Sequence, residues 1–72
     1  MEYLVVIHRA EEGGYWAEVP ALSGCYTQGE TLDEVVENAR DAIETYIDGL
    51  KQDGEPVPTE GGVFVTTVTV AA

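Results

Sequence analysis

The chain is poor in three kinds of residue, and each shortage excludes a class of structure or ligand. Its 72 residues include one cysteine, one histidine and three basic residues. One cysteine cannot form an internal disulfide, and no group of histidines and cysteines offers a structural metal site. Three cations give phosphate binding almost no electrostatic basis. The sequence therefore predicts no metal, no cofactor and no direct contact with nucleic acid.

Long apolar runs are also missing. Residues 1–9 carry the acid Glu2 where a signal peptide has basic residues, and their apolar stretch is too short to span a bilayer. We expect a soluble cytoplasmic protein with no membrane contact. A single domain over residues 1–72 buries only about 60% of the surface that its unfolded chain exposes. Without a disulfide or metal to compensate, a homo-oligomer, dimer or tetramer, is expected.

Acidic residues are abundant, with 14 acids against 3 basic residues and a formal net charge of −11. Such a charge opposes approach to nucleic acid or an anionic membrane and favours a basic partner. Solubility alone explains the same excess equally well. Charge therefore narrows the class of partner without establishing that one exists.

The hydrophobic pattern predicts an α+β fold with element order β-β-β-α-β. Strands are predicted at residues 2–10, 15–19, 25–28 and 62–70. Gly13 and Gly14 suit the first hairpin turn. Thr31 and Glu34 have capping-box spacing, so a helix should begin at Leu32, and apolar residues then recur every three or four positions.

This order places one helix on one face of a mainly antiparallel sheet. A right-handed crossover through the helix would lay the last strand beside the first. The first strand is apolar on both faces, which is typical of a central strand covered on both sides. The other face of the sheet, or the uncharged last strand, is then left for association with another copy.

The many carboxylates do not form a predicted catalytic site. Nucleases and glycosidases need acids that converge on one point, whereas most acids here fall in turns or on the polar face of the helix. Glu18 alone lies within a strand. His8 and Cys25 belong to no nucleophile or metal motif, so His8 is interpreted as a structural or interface residue and Cys25 as a packing residue.

Aromatic and acidic residues gather in the first hairpin and third strand. Core packing or a dimer interface accounts for Tyr15, Trp16 and Tyr26 in the simplest interpretation. The functional alternative is a set of aromatic anchors beside acids that docks a basic protein. The predicted partner-binding residues are Trp16, Glu18, Tyr26 and Glu30.

The ordered motifs of residues 16–31 and 32–43 resemble the HicB-like antitoxin family. Members typically show a strand ending in Glu-x-Pro, a Leu-x-Gly-Cys turn, a Gly-Asp/Glu-Thr cap and an Asn-Ala pair in the helix. These correspond here to residues 18–20, 22–25, 29–31 and 38–39. Residues 54–58 look like the tether that leads to the family's last strand, so the resemblance covers nearly the whole chain.

The resemblance implies a partial ribonuclease-H-like fold without nuclease activity. It also implies a partner, a small basic mRNA-cleaving toxin of the HicA type, which the antitoxin binds and blocks. Many members continue into a DNA-binding segment, whereas this sequence ends at Ala72, so a single-domain member without that extension is expected. The alternative is an orphan oligomer that retained the fold, with a small-molecule ligand or, less favoured, a metal-dependent nuclease role using Glu18.

Overall fold

The computed structural model describes residues 1–61 and 63–72 and contains three strands followed by one helix. The elements are β1 (Val6–Arg9), β2 (Tyr15–Glu18), β3 (Tyr26–Gly29) and α1 (Leu32–Gln52). Both strand pairs are antiparallel, in the order β1-β2-β3. The predicted α+β class and the order of the first four elements are confirmed.

The first hairpin turns where two glycines adopt a left-handed backbone. Gly13 and Gly14 have φ angles of 102° and 73°, which residues with a Cβ rarely adopt. The turn sets a register in which His8 lies opposite Trp16 and Ile7 opposite Ala17. Since side chains alternate along a strand, this register decides which residues share a face.

The start of α1 is fixed by a capping box. Thr31 is the N-cap, and its Oγ1 accepts a hydrogen bond of 3.1 Å from the Glu34 N–H. The Glu34 carboxylate accepts in return from the N–H of Glu30 at 3.0 Å, one residue earlier than the sequence pattern predicts. The predicted helix start at Leu32 is confirmed.

Loss of this cap should cost measurable stability. We expect Thr31→Ala to lower the free energy of unfolding by about 1 kcal/mol, because the Glu34 N–H loses its acceptor. Urea unfolding followed by far-ultraviolet circular dichroism measures the change. Thr45→Ala is the matched control, since Thr45 is an exposed residue within the helix and alanine is the better helix former. Equal losses in the two variants would contradict the role of the cap.

The core lies between the sheet and α1. The helix packs against β3 and, to a lesser extent, β2. Six hydrophobic residues are buried there, namely Ala17, Val19, Leu22, Cys25, Val35 and Ala39. The short loop between β2 and β3 contributes Leu22, and backbone hydrogen bonds from Leu22 to Val19 and from Cys25 to Leu22 hold this loop closed.

The prediction of a last strand beside the first is wrong for the isolated chain. The predicted strand begins at Gly62, which lies outside the described residues. Residues 63–70 are exposed and form no strand. The sheet therefore ends at β1, which is an edge strand and not the predicted central one. β-Branched composition favours an extended chain, but a strand also needs a neighbour to which its backbone can bond. β1 is correspondingly short and begins at Val6 instead of Glu2.

The chain that follows the helix does reach the β1 side of the sheet. The Tyr3 hydroxyl donates to the carbonyl of Pro58, and the Leu4 N–H donates to the Glu60 carboxylate at 2.9 Å. These contacts lie just before β1 in the chain. They bring residues 58–60 beside the start of the first strand. Across the described residues, no helix is long and apolar enough to cross a membrane.

Candidate functional site

One face of the sheet is turned away from α1, and we call it the open face. The buried Ala17 of β2 and its cross-strand neighbours Ile7 and Thr27 point to the opposite face, and the open face carries the residues that alternate with these three. These residues are Val6, His8, Trp16, Glu18, Tyr26 and Gln28. Three of the four predicted partner-binding residues therefore lie together.

An aromatic row crosses the open face. The His8 imidazole stacks on the Trp16 indole with ring centroids 4.1 Å apart and an interplanar angle of 16°. Tyr26 follows at 6.3 Å from Trp16, tilted by 48°. Tyr26 is 64% exposed and Trp16 is 37% exposed. The strands thus hold these rings in place and leave part of both Trp16 and Tyr26 exposed.

His8 and Glu18 form the polar part of the open face. The His8 Nε2 lies 2.7 Å from the Glu18 Oε2, and both side chains remain partly exposed. An ionised carboxylate only accepts hydrogen bonds, so Nε2 must carry the proton that is donated. Glu18 in this way fixes the ring that stacks on Trp16. The sequence predicts a structural or interface role for His8 and does not include it among the partner-binding residues. A count outward from the two turn glycines does not place His8 opposite Trp16, since it pairs Glu11 with Trp16, whereas the observed register is centred on Glu12.

Glu30, the fourth predicted residue, lies outside the strands that form the open face. It follows β3 at the end of the sheet and lines a cleft whose acids are Glu12, Glu30 and Glu34. Trp16 and Gln28 form another part of the wall of this cleft. The Asn38 side-chain amide donates to the Gln28 carbonyl at 2.8 Å and joins the helix to this end of β3.

Trp16 therefore connects two surfaces of different character. On one side is the aromatic row, and on the other is the acidic cleft, whose lining includes three carboxylates and neither lysine nor arginine. Carboxylates grouped around a concave surface concentrate negative potential and attract a basic partner. Tyr15, predicted to belong with these aromatics, alternates to the helix side of the sheet and is half-buried.

The groups that could react are few. Cys25 is buried in the core, and burial raises the pKa of its thiol, so the reactive thiolate is scarce near neutral pH. Its predicted packing role fits this position. Among residues 1–61 and 63–72, no three side chains of histidine, cysteine, aspartate or glutamate are placed so that they could hold one metal ion, the three acids of the cleft included. The open face and the cleft instead expose aromatic side chains beside carboxylates.

Comparison with known proteins identifies the family. Residues 3–67 match a protein family described as "HicB_like antitoxin of bacterial toxin-antitoxin system". A UPF0150 protein of Thermoplasma acidophilum is 42% identical over 66 residues, which cover 92% of this chain and 96% of the relative. A UPF0150 protein of Synechocystis is 43% identical, covering 81% of this chain and 73% of that protein.

A third relative has a name that states a role. Antitoxin HicB 1 of Photorhabdus laumondii is 38% identical over 63 residues, covering 88% of this chain and 41% of the relative. The aligned region thus includes most of this chain and less than half of that protein. On the strength of the family match over residues 3–67 and of these relatives, the chain belongs to the HicB-like antitoxin family.

Proposed function

We propose that this protein is an antitoxin that binds and neutralises a small basic mRNA-cleaving toxin of the HicA type. The observation that carries the proposal is the continuity of the open face with the acidic cleft through Trp16. Family membership supports an antitoxin role in general. In this proposal the protein has a partial ribonuclease-H-like fold, and it acts by binding its partner without catalysing a reaction.

The aromatic row supplies the contact area that such binding needs. Aromatic anchors that fill a partner's pocket commonly dominate the affinity of an interface. Trp16 is stacked against His8, and His8 is held by Glu18, so the indole is already ordered before a partner arrives. Binding then costs less side-chain entropy than it would for a free ring.

Charge supplies the choice of partner. A ribonuclease must attract the phosphates of its substrate, so its active surface carries positive charge. A chain with a net charge of −11, and with Glu12, Glu30 and Glu34 around one cleft, is complementary to that surface. Occupation of the toxin's basic surface by these carboxylates would exclude RNA from the same place.

The test is reconstitution with a small basic toxin of this type encoded beside the gene. We expect the two proteins to co-purify and the antitoxin to restore growth of cells that express the toxin. The association rate should fall as salt rises, because screening weakens the attraction between the opposite charges. Absence of a complex together with absence of growth rescue would overturn the proposal.

A further inference from the structure

Four residues of β2 and β3 form a square patch on the open face, and we call them the quartet. In the register of the two strands, Trp16 lies opposite Gln28 and Glu18 lies opposite Tyr26. Trp16 and Glu18 are successive residues of β2 on this face, so the two pairs are neighbours. The aromatic rings therefore occupy one diagonal of the quartet, and the two polar side chains occupy the other.

A hollow lies beside the two rings of the quartet. Its volume is about 410 Å³, and it is lined by Trp16, Tyr26, Thr27 and Gln28. Pockets that take small ligands have volumes of about 300–1,000 Å³, so the hollow is of suitable size. The His8 ring stacks on the indole from the β1 side, whereas the hollow lies on the β3 side. The part of the indole that borders the hollow is therefore left for a ligand.

Both polar side chains of the quartet have an oxygen that no described residue uses. The Glu18 Oε2 accepts from the His8 Nε2, and no donor among residues 1–61 and 63–72 bonds to its Oε1. The Gln28 backbone carbonyl accepts from Asn38, whereas the Gln28 side chain makes no hydrogen bond within the described part of the chain. Among the same residues, no lysine or arginine forms an ion pair with Glu18. The quartet thus offers two acceptors, one of them charged.

We propose that the quartet receives one arginine side chain of the partner. The inference rests on the proposed antitoxin function, which supplies a basic protein as that partner. The guanidinium lies against the indole and beside the phenol ring, where the negative ring faces attract a cation. One of its edges donates to the Glu18 Oε1 and another to the side-chain oxygen of Gln28. Diagonal neighbours across an antiparallel pair are about 7–8 Å apart, a gap that a guanidinium with a hydrogen bond at each edge can span.

The arrangement of the quartet favours arginine over lysine. A guanidinium is planar and weakly hydrated, so it can place its face on a ring while its edges donate hydrogen bonds. A lysine ammonium is compact and strongly hydrated, and its donors all belong to one nitrogen. Because the two acceptors lie on opposite corners, a planar cation reaches both and still contacts the rings. The net charge of −11 attracts any basic protein, and the quartet adds a preference for one kind of basic side chain.

Fluorescence titration with peptides tests the quartet directly, because Trp16 is the only tryptophan of the chain. The probes are two short lysine peptides with blocked ends that differ only at the central position, which is arginine in one and lysine in the other. Their charges are equal, so a difference in affinity reflects the central side chain. We expect the arginine peptide to bind about fivefold more tightly, which corresponds to about 1 kcal/mol, the size of one exposed cation–π contact. Equal dissociation constants for the two peptides would overturn the proposal.

Glu18→Gln separates the quartet from the general negative charge of the protein. Glutamine keeps an oxygen that can accept from His8, but it lacks the charge and the second acceptor oxygen, so the preference for the arginine peptide should disappear. Glu37→Gln is the matched control, since it removes the same charge from an exposed position on α1. It should weaken both peptides alike and leave their ratio unchanged. If Glu18→Gln retains the full preference for arginine, the guanidinium does not pair with Glu18 and the proposal fails.

The peptide titrations need no toxin, so their outcome is independent of the reconstitution experiment. A preference for arginine in a protein that forms no complex with the toxin would support the quartet as a receptor and overturn the antitoxin function. A toxin complex formed by a protein without this preference would support the antitoxin function and overturn the role of the quartet. The two proposals can therefore fail separately.

Discussion

Gly29→Ala is expected to lower the free energy of unfolding by about 3 kcal/mol, at the upper end of the usual cost of overpacking. A Cβ at this position would lie 2.6 Å from the backbone nitrogen of Val35 and 2.9 Å from its Cα. These are backbone atoms of the first turns of α1, so no side chain can move aside. The helix would have to shift away from β3, and the buried Val35 would lose its packing.

Gly49→Ala is the control for this substitution. Gly49 lies within α1, has no atom near the position of an added Cβ and does not have a positive φ. Alanine there should raise stability by up to about 1 kcal/mol through its higher helix propensity. If the close approach at Gly29 is real, urea denaturation will show a lower free energy of unfolding for Gly29→Ala and a higher one for Gly49→Ala. A Gly29→Ala protein as stable as the wild type would show that the helix and β3 do not meet as described.

Trp16→Ala is expected to weaken toxin binding by about 30-fold or more, which corresponds to about 2 kcal/mol and is typical of a central aromatic anchor. Trp16 is the one residue shared by the aromatic row and the acidic cleft. Its loss removes a ring that a partner would bury and frees the His8 ring stacked on it. Titration calorimetry or surface plasmon resonance with the purified toxin measures the change.

Leu32→Ala is the matched control for Trp16→Ala. Leu32 is also a large exposed hydrophobic residue, but it lies in the first turn of α1 and lines neither the open face nor the cleft. Its substitution should leave affinity within about twofold, since most contacts outside a hot spot contribute little. If Trp16→Ala is folded and binds as tightly as Leu32→Ala, the toxin contacts another surface, such as the acidic face of the helix.

The local elements were predictable because their causes are local. Gly13 and Gly14 dictate the first turn, and Thr31 dictates the start of the helix. Alternation along β2 brings Trp16 and Glu18 to one face, and the pairing of Glu18 with Tyr26 adds Tyr26 to it. The Glu34 carboxylate accepts from the N–H of Glu30, one residue before the amide that the capping-box pattern indicates.

Residues whose environment depends on the rest of the fold could not be placed from the sequence. Glu30 is predicted beside the aromatics because it is close to them in sequence, whereas in the structure β3 ends at Gly29 and Glu30 lines the cleft. His8 is absent from the predicted site because its contact is with a cross-strand neighbour, Trp16, eight residues away in the chain. The last strand was predicted from composition, which does not say whether a hydrogen-bonding neighbour is present in the same chain.

The exposure of the 63–70 segment also has a consequence for how the protein is made. Runs of valine, threonine and phenylalanine without charge or proline are the kind of sequence that nucleates cross-β aggregates. Acids and prolines precede this run, at Glu55, Pro56, Pro58 and Glu60, where such residues act as gatekeepers against uncontrolled stacking. A newly synthesised chain in which this segment has no partner therefore exposes an aggregation-prone strand. We expect the fraction of protein that forms aggregates to rise with the level of expression.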